Sequence, residues 1–179
     1  MAKKAGMTLH KSKLINKVVS YFNIQSTLEL GTSVGMGSIS LATHQPQNII
    51  NSVEACPNTF QVAKEHVEQL QLKTIRLHCS TFQDYLSNLP HQKTYDLIYL
   101  DGHHDEQATL NYFSKLKAHT HPESILILDD IYWSKGMQKA WRTICKDESV
   151  KVSLDLYFWG ILFFRPGLSK QDFKIRCFI

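Results

Sequence analysis

From residue 24 onward, short β-rich apolar runs alternate with amphipathic stretches of about 10 to 15 residues, and this rhythm restricts the fold more than any other feature of the chain. Parallel strands need crossover connections of about a dozen residues, usually helical, so the alternation reads as repeated βα units around a parallel sheet. The strand candidates are STLELG (26–31), NIINSVE (48–54), TIRLH (74–78), YDLIYLD (95–101) and SILILDD (124–130). Between them, Pro57 suits a helix start, and Phe60, Ala63, Val67 and Leu70 then recur at helical spacing. Ala108, Tyr112, Phe113 and Leu116 mark a second helix, and Ser134 can cap a third carrying Met137, Ala140, Trp141 and Ile144. Then the rhythm changes. Val150, Val152, Leu154 and Leu156 alternate and YFWGILFF (157–164) is continuously apolar, which predicts a hairpin and therefore an antiparallel edge on a mostly parallel sheet.

The chain has 179 residues and no internal repeat, which suits a single domain over 1–179: an N-terminal helix within 1–23, a sheet core over 24–165 and a tail over 166–179. At 43% hydrophobic and 20% charged residues it is an ordinary globular composition. The excess of 20 Lys and Arg over 16 acidic residues collects toward the ends, in Lys3, Lys4, Lys11, Lys13, Lys17, Lys170, Lys174 and Arg176. Such runs are usually solvated faces, so nucleic acid is not the expected partner. Cys56, Cys79, Cys145 and Cys177 form no C-x-x-C pair, which argues against a zinc ribbon or a disulfide framework and for a reducing, cytoplasmic setting. No membrane association is expected, since no apolar stretch approaches the roughly 20 residues of a span.

Strand one runs into LELGTSVGMGSI, where Gly31, Gly35 and Gly37 surround a turn that opens a helix. Glycine permits close approach of backbone to ligand, and a helix N-terminus offers unpaired N–H groups, so a nucleotide-like ligand is expected. The dinucleotide fingerprint is out of register here, and no Lys-Ser or Lys-Thr completes a P-loop. Glu54 closes the second strand, 23 residues after Gly31, where an acid can accept both hydroxyls of a ribose.

In an open parallel sheet the ligand crevice lies beyond the carboxyl ends of the strands. Asp101 ends strand four, with His103 and His104 behind it, and Asp129 and Asp130 end strand five. Three converging carboxylates require a raised pKa, a cationic ligand or a divalent metal, and all-oxygen ligands suit Mg²⁺ or Ca²⁺. The plainer reading is that Asp129 or Asp130 caps the next segment and Asp101 bonds loop amides.

ELGTSVGMGS, the strand-ending Glu54 and the strands ending at Asp101 and Asp129-Asp130 together resemble a class I S-adenosylmethionine-dependent methyltransferase, over residues 24 to 165. The resemblance implies a Rossmann-like α/β three-layer sandwich with a mostly parallel seven-stranded sheet and an antiparallel C-terminal hairpin strand. It implies that Gly31, Ser33, Gly35 and Gly37 contact the methionine part of the cofactor, with Glu29 in the same set. Glu54 would hold the ribose, Ser80, Thr81 and Phe82 would lie at the adenine, and Asp101 would join the cofactor contacts. Cys79 stands where a small glycine is common in that family.

Within it, the acids resemble those of catechol-type and macrocin-type O-methyltransferases, where Asp101, Asp129 and Asp130 would be the metal ligands, for Mg²⁺ or another divalent cation. Those enzymes carry a lysine base three residues beyond the first Asp; this chain has His104. An imidazole can accept a hydroxyl proton near neutral pH, so His104 and Asp101 form the expected catalytic pair, with His103 a lesser metal-ligand candidate. The expected reaction is methyl transfer to a hydroxyl of a small molecule, dominated by positioning of the two reactants. Methylation of nitrogen or of a macromolecule, and a cofactor-binding protein without catalysis, are the alternatives. Tyr132, Trp133 and Trp159 are candidates to wall the substrate side. Only about 25 residues precede strand one, which leaves acceptor selection to a partner subunit, as in a homodimer.

Overall fold

The first helix is set by Thr8, whose hydroxyl accepts from the Lys11 amide at 3.2 Å, a side-chain cap for an otherwise unpaired N–H. In the computed structural model, which describes residues 7–176, α1 spans Leu9–Tyr21 and buries Ile15 and Val19. Lys3, Lys4 and Cys177 lie outside the described residues. The chain divides into two compact units after Tyr85.

In the first unit, β1 (Ser26–Leu30), α2 (Met36–Thr43), β2 (Ile49–Glu54), α3 (Pro57–Gln69) and β3 (Ile75–Cys79) follow α1. β1 pairs parallel with β2 from Ser26↔Ile49 to Leu30↔Val53, and β2 with β3 from Ile50↔Ile75 to Glu54↔Cys79. These registers bring Leu30, Glu54 and Cys79 to the same carboxyl end. Pro57 does open α3, and Ala63 and Val67 face inward, but Leu70 caps the helix and is exposed. A further helix, α4 (Phe82–Ser87), was not expected: Thr81 Oγ1 accepts from the Asp84 amide at 3.1 Å and donates to the Asp84 carboxylate at 2.7 Å. That is half of a capping box: Asp84 closes back on the Thr81 hydroxyl rather than on the Thr81 N–H.

The second unit contains β4 (Leu97–Leu100), α5 (Glu106–Leu116), β5 (Ile125–Asp129), α6 (Lys135–Cys145), β6 (Val152–Asp155), β7 (Trp159–Phe163) and β8 (Gln171–Lys174). Every residue of β4 and β5 is buried, as parallel strands covered on both faces require. Asp105 caps α5 and Ser134 caps α6, each accepting from the amide three residues on, and Met137, Ala140, Trp141 and Ile144 are all buried. β7 pairs antiparallel with both β5 and β6, so the hairpin is present with its second strand innermost.

The tail does not remain a tail. β8 lies parallel to β6, from Val152↔Gln171 to Asp155↔Lys174, which brings the strands among the described residues to eight rather than seven. All four of its residues are exposed, so no inward stripe marks it, and it is held by backbone pairing and polar ties. Lys174 Nζ donates to the Tyr132 hydroxyl at 2.7 Å, and Tyr132 donates to Asp155 at 2.6 Å.

Gly160, inside β7, marks a close approach of the kind strand glycines often signal. A Cβ there would meet the Trp141 ring, with Cε3 at 2.6 Å and Cη2 at 2.8 Å. Gly160→Ala is therefore expected to destabilise the protein by about 1–3 kcal/mol, the usual cost of overpacking a tight core, measured by urea denaturation. No helix of the described residues is long and apolar enough to cross a membrane.

Candidate active site

Beyond Leu30 the backbone takes three left-handed steps, at Gly31 (φ 112°), Ser33 (φ 50°) and Gly35 (φ 89°), the last being the N-cap of α2. Gly35 has two reasons to lack a side chain: its φ, and Ala63 of α3, whose Cα would lie 3.4 Å from an added Cβ. Glu54 ties this loop to the next. Its Oε2 accepts the Ser33 amide and its Oε1 the Cys56 amide, both at 2.9 Å. Each oxygen keeps a further lone pair, so a glutamate fixed in this way can still accept two hydroxyls.

Glu29 sits beneath the loop. It is 1% exposed, and the hydroxyls of Ser38 in α2 and Ser52 in β2 both donate to its Oε2. Burial pushes its carboxyl up to about 7, against the smaller opposing effect of the Ser38 and Ser52 hydrogen bonds. Expected among the cofactor contacts, Glu29 is instead turned inward as the loop's buried support. Gly37 follows from this: a Cβ at that position would collide with the Glu29 carboxylate. Ser38 and Ser52 carried no signal in the sequence beyond being small polar residues at inward positions.

Past β3, Ser80 N–H donates to the Glu54 carbonyl at 3.0 Å, which holds this segment beside Glu54. Thr81 uses its hydroxyl to cap α4, and Phe82, 6% exposed, packs into the core. Of the three residues expected at an adenine, Ser80 is half-buried, Thr81 is exposed and Phe82 is buried.

In the second unit, β4 ends into Asp101, and the chain turns through two consecutive left-handed histidines, His103 (φ 61°) and His104 (φ 33°). Non-glycine residues in this region carry strain that the surroundings must hold. His103 Nδ1 lies 3.1 Å from the Tyr112 hydroxyl of α5, which anchors the ring to the scaffold. His104 Nε2 lies 3.6 Å from Asp101 Oδ1, and its ring lies 5.7 Å from that of Trp133 at 36°. Its Nδ1 is buried with no hydrogen-bond partner among the described residues. Trp133 is 67% exposed, whereas Trp159 is fully buried against Tyr99 and belongs to the core. Tyr132 is taken up by Asp155 and Lys174 and stacks on Tyr157.

The acids expected at a metal lie in different settings. Asp129, 5% exposed, accepts the Tyr99 hydroxyl on Oδ2 at 3.0 Å and the Asp130 amide on Oδ1 at 2.9 Å. Asp130 is in the left-handed region, its amide also donating to the Phe158 carbonyl at 2.8 Å. No group of three His, Cys, Asp or Glu side chains able to hold a cation occurs among the described residues. Hydrogen bonds from the Tyr99 hydroxyl and the Asp130 amide thus take up the Asp129 carboxylate, and the sequence offered the first of these only in the one tyrosine of an otherwise aliphatic strand.

Residues 28–131, more than half of the chain, match the family model described as a methyltransferase domain. Comparison with curated proteins returns no match. Among solved structures, the chain resembles the O-methyltransferase from Bacillus cereus in complex with SAH (TM-score 0.75, 18% identity, covering 89% of this chain and 83% of that one). It also resembles the O-methyltransferase TomG from Streptomyces achromogenes, involved in tomaymycin synthesis and solved with SAM (TM-score 0.77, 14% identity, 90% and 82% covered). A third is the SAH-bound methyltransferase PaMTH1 of Podospora anserina (TM-score 0.79, 12% identity, 90% and 80% covered). With a glycine turn clipped by a strand-ending glutamate, a Rossmann-like α/β fold with antiparallel C-terminal strands and a family model spanning both units, this chain belongs to the methyltransferase-domain family, in its class I S-adenosylmethionine-dependent form.

Proposed function

We propose that the protein transfers a methyl group from S-adenosylmethionine to a hydroxyl of a small molecule, with His104 as the base and Asp101 as the group that orients it. The observation that carries this reading is the unpartnered, buried Nδ1 of His104. Asp101 beside Nε2 favours the tautomer with its proton on Nε2, which leaves Nδ1 a bare acceptor. A buried acceptor without a donor costs about 1–3 kcal/mol, and a substrate hydroxyl would relieve that cost. The largely exposed Trp133 ring, 5.7 Å from that of His104, is placed to border an entering substrate.

S-adenosylmethionine supplies a methyl group on a sulfonium, whose departure leaves a neutral thioether, so no acid is needed on the donor side. The protein's tasks are to hold, orient and deprotonate. Gly31, Ser33, Gly35 and Gly37 offer backbone to the methionine part, Glu54 accepts from the ribose, and Ser80 and Thr81 stand at its side. Holding two reactants at near-attack distance is worth effective molarities of about 10⁵–10⁸ M. The similarity to O-methyltransferase structures supports oxygen as the acceptor.

Calorimetric titration with S-adenosylhomocysteine tests the cofactor half. One saturable site is expected in the wild type, and Glu54→Ala should weaken it about 10- to 100-fold, the loss of hydrogen bonds to a charged acceptor. A wild type that takes up no heat would end the proposal.

A further inference from the structure

The glycine turn is made of backbone that its surroundings must hold. The Gly35 amide donates to the Thr32 carbonyl at 2.9 Å and closes a four-residue turn. Ser33, its second residue, stands at φ 50°, a conformation for which glycine or asparagine is the usual choice, and Gly35 follows at φ 89°. A non-glycine residue in this region persists only where several contacts over-determine it.

Most of those contacts come from β2 and act at the start of the turn. The Gly31 and Thr32 amides donate to the Val53 carbonyl at 3.0 and 3.2 Å, the Thr32 hydroxyl lies 2.6 Å from that of Ser52, and Glu54 takes the Ser33 amide. The carbonyl of Val34, at the far side of the strained residue, is held from α3 instead. His66 Nδ1 lies 2.9 Å from it, across 32 positions of chain. A carbonyl oxygen only accepts, so Nδ1 carries the proton and donates. His66 is three residues beyond Ala63, which lies against Gly35, so one face of α3 reaches both residues that follow Ser33.

We propose that His66 is a positioning residue of the cofactor turn: its Nδ1–H draws the Val34 carbonyl toward α3 and keeps the backbone from Ser33 to Gly35 in the conformation that receives the methionine part of S-adenosylmethionine. The ligand in this inference rests on the cofactor reading above; the tether itself does not. A turn released from α3 populates other conformations, and the apparent affinity falls by the fraction that stays competent. His66 acts only through the backbone it holds, so what matters is the donor on the ring and its place, not the ring's bulk or its charge.

Two substitutions separate the hydrogen bond from packing. His66→Phe keeps a ring and removes the donor, whereas His66→Asn gives up the ring and places an amide N–H where Nδ1 stood. Two readouts apply to both: the S-adenosylhomocysteine isotherm, and amide hydrogen exchange of the cofactor-free protein at Gly35. His66→Phe should weaken S-adenosylhomocysteine about 3- to 10-fold, the worth of one ordinary hydrogen bond, and speed exchange at Gly35 by a similar factor. His66→Asn should restore both. Exchange at the buried amides of β2 should match the wild type in each variant, which marks the loosening as local rather than global. Wild-type behaviour of His66→Phe in both readouts, or an Asn variant no better than the Phe variant, would overturn the proposal. Should the wild type take up no S-adenosylhomocysteine, the cofactor reading falls, and exchange at Gly35 alone decides whether His66 holds the turn.

Discussion

His104→Ala is expected to lower the rate of methyl transfer by about 10²–10⁴-fold, the usual contribution of a positioned general base. S-adenosylhomocysteine affinity should change far less than the rate, because the glycine turn and Glu54, the main holders of the cofactor in this proposal, are left intact. The measurement is single-turnover transfer of a labelled methyl group to a hydroxyl acceptor that the wild type turns over. Asp101→Asn separates orientation from proton uptake: the histidine remains, but the side chain beside Nε2 loses its charge, so the rate should fall by a smaller factor. If His104→Ala transfers methyl groups at the wild-type rate, the imidazole is only part of the loop and the base assignment is wrong.

Glu29→Gln should stabilise the protein at pH 8 and remove a pH dependence. Burial holds the folded-state carboxyl at about 7, whereas the ordinary value is 4.5. Between those two values the unfolded chain has released a proton that the folded chain retains, so stability is greatest below about pH 4.5, falls as pH rises toward 7 and stays at the lower level above it. At 1.36 kcal/mol per pH unit the difference is about 3 kcal/mol. Glutamine fills the same volume without an ionisable proton. Urea midpoints of both proteins between pH 4.5 and 8 should therefore converge at the acid end and separate at the alkaline end. Parallel midpoints across that range would mean that the buried carboxyl titrates as it does in water.

The βα rhythm was legible because each strand of an enclosed parallel sheet is apolar on both faces, and each helix carries one inward stripe; both patterns are local. Ser134 and Pro57 were legible for a related reason, since caps and first turns act within four residues. β8 and α4 were not: QDFK has no buried side, and the α4 signal is a threonine and an aspartate three apart in a segment read for ligand contact. Gly31 and Gly35 could be placed in a turn between strand one and a helix from their position alone. What Gly37 avoids, however, is Glu29, a clash visible only when α2 is laid over β1.

The sequence by itself determined the class of fold, the order of its elements, and which acids and glycines stand at strand ends, because periodicity and end position are properties of neighbouring residues. Only the tertiary structure decided where those groups point. Tyr99 and the Asp130 amide take up the carboxylate oxygens of Asp129, and two seryl hydroxyls draw Glu29 inward, leaving His104 beside Asp101 with one nitrogen unmatched. Apart from the Asp130 amide, the donors in these hydrogen bonds lie 9 to 30 positions from their acceptors, and the bonds depend on orientation within about an ångström, which no spacing in the chain encodes.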